Sequence, residues 1–239
     1  MDGATLASLF SAMDVVALAV LLVAWLASSW IIENPPMRRP STTVLMAQYR
    51  REWMRQFLTR QPRMFDSQII GNMRQGTAFF ASGSMIAIGG GFALVGNADR
   101  LRGVASDLTQ SADPVVVWEL KLLVMLLFAA NAFLKFVWSH RLFGYCAVLM
   151  AAVPNDPEDP LAVPRANKAA EINIAAARGY NRGLRSVYFG IACGAWLVGA
   201  WALMAAVAVT LLVIGRREFA SHSRAVLLDP ADGIRPAPL

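Results

Sequence analysis

Four stretches of this chain run for about the thickness of a bilayer with almost no charge, and this limits the fold more than any other feature. A helix rises about 1.5 Å per residue, so roughly twenty apolar residues cross a hydrocarbon core. Four such stretches are too many to be buried core helices in a chain of 239 residues, and they read as membrane spans. Composition agrees, with 56% hydrophobic and 16% charged residues and a mean hydropathy of +0.47. The expected fold is an all-α integral membrane protein, a four-helix transmembrane bundle with a cytoplasmic amphipathic helix.

The spans fall at about 14–32, 76–96, 116–138 and 187–214, in one membrane domain over residues 1–220. The first has no Lys or Arg before it and so reads as a retained span, not a secretory signal. Asp14 is placed to cap it, and Glu33, Asn34, Pro35 and Pro36 stop it. Pro114 opens the third span. The prolines Pro230, Pro236 and Pro238 predict disorder for the tail, 221–239.

Between the first two spans lies an interfacial helix at about 41–60. Leu45, Tyr49, Trp53 and Phe57 recur at four-residue steps on it, flanked by Arg50, Arg51, Arg55 and Arg60. Such a stripe suits a membrane surface, with Trp53 and Phe57 in the acyl boundary and Arg50, Arg51 and Arg55 on headgroups. It suits equally the protein's own cytoplasmic surface. Small residues mark the helix-packing faces: Gly83, Ala87 and Gly91 in the second span, Gly190 and Gly194 in the fourth. Gly91 and Gly96 have the spacing of phosphate-loop glycines, but Asn97 stands where that loop needs Lys.

Basic residues set the orientation. The segment between spans one and two holds eight Arg, and that between spans three and four holds six Lys or Arg. Both segments are therefore expected in the cytoplasm, with both termini outside an inner membrane. Arg216 and Arg217 dissent. A break inside the fourth apolar stretch would bring them inside, but each half would be short for a span.

The net charge of +6 lies between spans, where it serves topology, and nucleic acid is not expected as a partner. Cys146 and Cys193 form neither a CxxC nor a disulfide framework. Metal-binding His pairs, nucleophile elbows and phosphate loops are absent from the sequence, so neither an enzyme nor a cofactor is expected. The candidate chemistry is polar residues at span ends: Asn72, Arg74, Asn131, Lys135, His140, Asn181, Arg182 and Arg185. Gathered in a bundle they would bind an anion or lipid headgroup; taken singly they snorkel to the interface.

Several stretches, in order, are Arg50-Arg51-Glu52-Trp53-Met54, Arg63-Met64-Phe65-Asp66 and Phe79-Phe80-Ala81-Ser82. After them come Glu119-Leu120-Lys121, Phe133-Leu134-Lys135-Phe136-Val137-Trp138-Ser139, Asn181-Arg182-Gly183-Leu184-Arg185 with Tyr188-Phe189, and Arg216-Arg217-Glu218-Phe219. In these the chain resembles the "domain of unknown function 599" family of bacterial and plant membrane proteins. That resemblance implies a four-span architecture and no activity.

Three functional classes follow. A non-enzymatic accessory or scaffold protein comes first, with the bilayer, anionic lipids and a membrane-protein partner or second copy as partners. A small oligomeric transporter or channel, or a binder of anionic headgroups, comes second. A lipid-handling enzyme using Asp66, His140 or Glu33 comes third.

Overall fold

The computed structural model describes residues 10–36, 38–100, 103 and 114–229. The regular elements among them are helical. They are α1 (Ala12–Glu33), α2 (Thr42–Thr59), α3 (Met64–Val95), α4 (Val115–Ala151), α5 (Ala162–Gly194), a 3₁₀ turn (Ala195–Leu197), α6 (Ala200–Phe219) and α7 (His222–Leu227). Four segments are long and apolar enough to cross a membrane: α1, α3, α4 and Ala200–Leu227. The chain divides into two compact units, each taken here by itself.

The first unit comprises Met1–Trp30, Gly83–Phe133 and Leu184–Ile214. The start of α1 is fixed by a reciprocal pair. The Asp14 N–H donates to Ser11 Oγ at 3.1 Å, and Asp14 Oδ2 accepts from the Ser11 hydroxyl at 2.7 Å. Ser11 is thus the cap and Asp14 its partner three residues on. Asp14 Oδ1 also accepts from the Trp196 indole at 2.7 Å, while Ser29 Oγ accepts from Arg185 Nε at 3.0 Å. Those two contacts make α1 antiparallel to the end of α5.

Glycines let helices approach in this unit. A Cβ on Gly190 would lie 3.1 Å from Phe128, one on Gly194 3.4 Å from Met125, and one on Gly91 2.2 Å from Leu126. These three predicted packing residues serve contacts inside the protein. Gly83 has no atom within 4 Å of a Cβ position, and Ala87 is exposed.

The expected fourth span, 187–214, is not one helix. The chain leaves the α-helix at Gly194, makes one 3₁₀ turn, and passes Gly199 at φ +151° before α6 begins. Only glycine adopts that backbone without strain. Hydropathy ran the two helices together because Ala195, Trp196, Leu197 and Val198 in the turn are themselves apolar.

The second unit comprises Ile31–Ser82, Leu134–Gly183 and Gly215–Leu239. Its core is an alanine seam. Ala162, Ala166, Ala169, Ala170 and Ala176 of α5 are buried against Leu142, Phe143, Cys146 and Met150 of α4. These positions recur with helical period on one face, so the small side chains let the two backbones come close. Ser139 Oγ donates to the Ala176 carbonyl at 2.7 Å, and a Cβ on Gly183 would lie 2.6 Å from the Phe136 ring.

The stripe of α2 turns into this core. Leu45, Met54 and Phe57 are buried, and the Trp53 indole donates to Asp66 Oδ1 at 2.6 Å. Arg60 pairs with the same fully buried carboxylate. The Arg63 guanidinium lies 4.4 Å from the Phe57 ring centre and donates to the carbonyls of Val153 and Pro154. Phe57 packs in this core, the Arg50 guanidinium meets Asn173, and Arg51 pairs with Glu171. Arg51 and Arg55, paired with Glu171 and Glu52, remain exposed.

The two ends of α2 and α6 cap each other. Ser41 Oγ accepts from the Val44 N–H and donates to the Ile32 carbonyl. Thr43 gives its N–H and hydroxyl to the two carboxylate oxygens of Glu218, each at 3.0 Å, and Thr42 Oγ1 donates to the Glu218 carbonyl at 3.2 Å. The C-terminal end of α6 thus sits at the C-terminal end of α1. The first part of the tail expected to be disordered is α7, capped by Ser221 and tied by Arg224 Nε to the Pro40 carbonyl at 2.9 Å. Residues 230–239 and most of the 97–113 link lie outside the described residues.

The seam makes a direct prediction. Gly183→Ala forces a methyl against Phe136 and costs about 1–3 kcal/mol, read as a lower thermal midpoint in detergent. Gly83→Ala, in open space, leaves the midpoint unchanged.

Candidate functional site

A cavity of about 1130 Å³ lies within the second unit. That is at the upper end of the range for sites that take a small organic molecule. Three helices wall it, each with one face. Thr43, Ala47 and Arg50 come from α2; Asn72, Met73 and Gly76 from α3; Ile174, Ala177, Arg178 and Asn181 from α5. The spacings of three, four and seven residues are those of neighbours on one helical stripe. Phe143 of α4, Glu33 at the end of α1, and Arg217 and Glu218 at the end of α6 complete the wall.

The charges are unevenly satisfied. Glu33 accepts two N–H groups from Arg182, one of them Nε at 2.8 Å, and Glu218 is held by Thr43. Arg51 pairs with Glu171, Nε to Oε1, at 2.7 Å. Arg50 is different. Its guanidinium meets the Asn173 amide oxygen and, at 3.7 Å, the Met73 sulfur, both neutral. Burial pulls its pKa below the ordinary arginine value, because a charged group loses hydration there. Asn173 is itself fully buried and passes the contact on, its Nδ2 lying 3.6 Å from the Cys146 sulfur. Arg178, exposed on the cavity wall, has no hydrogen-bond or ion-pair partner among the described residues.

The residues expected at the span ends separate into groups. Asn72 and Asn181 line the cavity, and Asn181 Nδ2 reaches Thr43 Oγ1 at 3.5 Å. Arg182 stands behind the wall, holding Glu33. His140 lies 3.2 Å from the Arg74 carbonyl and 3.4 Å from Thr77 Oγ1, with the Arg74 side chain exposed. Lys135, half-buried on α4, does not line the cavity. Asn131 and Arg185 belong to the first unit, where they bond to Ser186 at 2.6 Å and to Ser29. Of the residues weighed for catalysis, Glu33 alone lines the cavity; Asp66 and His140 do not. Arg178, Thr43 and Glu218 carried no signal of convergence in the sequence. Arg50 and Arg51 did carry one, in a stripe that suits a membrane surface and the protein's own surface equally.

Four segments long and apolar enough to cross a membrane, among the described residues of a helical protein, fit a multi-pass membrane protein. The chain belongs to the family described as "Protein of unknown function, DUF599", whose family model matches residues 16–223. No curated protein and no solved structure matches the chain.

The wall at Glu218 is testable. Glu218→Ala leaves the Thr43 N–H and hydroxyl without their acceptor and costs about 1–3 kcal/mol, seen as a lowered unfolding midpoint. Glu52→Ala removes a surface pair worth about 0–1 kcal/mol and leaves the midpoint nearly in place.

Proposed function

We propose that this is a non-enzymatic binding protein of the inner membrane that takes a small molecule into the cavity of its second unit, on the cytoplasmic side. The cavity carries the reading, because it is large, part polar and part apolar. A binding role accounts for its chemistry better than a catalytic one. Its charged lining is Arg50, Arg51, Arg178 and Arg217, whose protons do not transfer at neutral pH, with Glu33 and Glu218 already held by Arg182 and Thr43. Support for the cytoplasmic side comes from the Arg-rich segments 38–74 and 165–182, which fall in this unit. On this reading Arg216 and Arg217 are cytoplasmic too and no longer dissent. With α5 returning across the membrane before α6, the chain crosses five times on this reading, and the N-terminus is outside and the C-terminus inside.

One observation favours an accessory role as well. Only 6% of the apolar window of α3 is buried, so Gly83 and Ala87 face lipid or a membrane partner. Small residues there permit close helix association. Gly91, Gly190 and Gly194, expected to serve the same purpose, are already used inside the chain.

Extraction into a polymer with native lipid, followed by native mass spectrometry, tests the binding role. A small molecule is expected at one copy per chain, and Gly76→Phe is expected to expel it without lowering the unfolding midpoint. Gly76 suits this test because it lines the cavity and a Cβ there meets nothing within 4 Å. An empty chain bound to a stoichiometric protein partner would overturn the reading. The orientation is checked with a membrane-impermeant maleimide on intact cells: Met13→Cys is labelled and Ser223→Cys is not.

A further inference from the structure

The contents of the cavity are constrained by its unmatched charge. Six charged residues line it, four arginines and two glutamates. Both glutamates are already held, Arg51 has its own carboxylate outside the lining, Glu171, and Arg217 has an interaction of its own. Arg50 and Arg178 remain. Arg50 is partly buried against an amide and a thioether, and Arg178 meets no acceptor among the described residues. A guanidinium withdrawn from water without an opposite charge is costly, and the planar fork of arginine pairs best with a carboxylate or phosphate. The rest of the wall sets the size and character of what carries that anion. Met73, Phe143, Ile174 and Ala177 are apolar, and the volume far exceeds what an inorganic ion fills.

We propose that the cavity binds a phosphate monoester carried on an apolar body, with Arg50 and Arg178 on the phosphate and Met73, Phe143 and Ile174 along the body. Two cations lining the same cavity, Arg50 from α2 and Arg178 from α5, match a monoester, which holds about 1.5 to 2 negative charges at neutral pH. Asn72 and Asn181, on the facing helices α3 and α5, supply amide donors for remaining oxygens. The same chemistry has two sources, a lipid with a terminal phosphate entering from the cytoplasmic leaflet, or a soluble organic phosphate. The inference rests on the cavity being a ligand site and adds which ligand it selects.

The test uses the full chain in a neutral detergent, with three probes titrated by calorimetry: dihexanoyl phosphatidic acid, hexyl phosphate and uncharged hexanol. One of the two phosphates is expected to bind one-to-one, and hexanol at least tenfold more weakly. Tighter binding of phosphatidic acid identifies the membrane as the source, and tighter binding of hexyl phosphate the cytoplasm. Arg178→Gln is expected to weaken phosphate binding about tenfold or more, the loss of one charge-assisted contact. Because Arg178 has no partner among the described residues, this variant is expected to fold normally. Arg50→Gln gives a loss at least as large, and Arg55→Gln, on the outer face, gives none. Hexanol binding as tightly as the phosphates, or unchanged binding in Arg178→Gln and Arg50→Gln, overturns the anion site while leaving a neutral ligand site standing. Failure of all three probes, with a neutral molecule in the native extract, has the same meaning. Failure of all three with an empty native extract removes the binding role itself.

Discussion

The rest of the structure depends on the close approach of α4 and α5. In the second unit it is made by alanines of α5, with Gly183 against Phe136 and Ser139 bonded to the Ala176 carbonyl. In the first unit Gly190 and Gly194 do the same against Phe128 and Met125, and Asn131 bonds to Ser186. Lipid gives helices little hydrophobic reason to associate, so packing and interhelical hydrogen bonds must hold them. A bulky side chain on this seam would separate the helices. That would move Ile174, Ala177, Arg178 and Asn181, which sit on α5 next to the seam and form one cavity wall.

Around that pair, the second unit places its polar groups by specific contacts, and few of them are spare. Asp66 takes Trp53 and Arg60 together, fixing the turn from α2 into α3. Glu218 and Thr43 close the ends of α6 and α2 on each other, a case of helix termini finding partners for groups that helices leave unpaired. Glu33 is committed to Arg182. Against this background, Arg50 of α2 and Arg178 of α5, which line the same cavity with no acid of their own among the described residues, stand out.

The sequence was most legible where one property governs. Apolar length located α1, α3 and α4, and proline pairs located the stop after α1. It failed at 187–214 because a turn built of Ala195, Trp196 and Leu197 is as apolar as the helices on either side. Two signals were nonetheless present, Gly199 and the arginines Arg216 and Arg217 at the far end. The candidate site was legible in part. Asn72 and Asn181 line the cavity, but a polar residue near a span end need not face its neighbours' polar residues. Asn131 and Arg185 instead serve local helix pairing with Ser186 and Ser29. Arg50 lies on a stripe whose period was read correctly, whereas its partner surface depends on tertiary contacts with Asn173 and Met73, more than twenty residues away. Periodicity gives the face of a helix and not what covers it.

The most direct test of the central claim is an experimental density map of the protein extracted with its own lipids, at a resolution that shows side chains. The account predicts density for a bound molecule inside the second unit, with its anionic end at Arg50 and Arg178 and its apolar part along Met73 and Phe143. A collapsed cavity, with those two guanidinium groups paired to carboxylates of the chain, would contradict it.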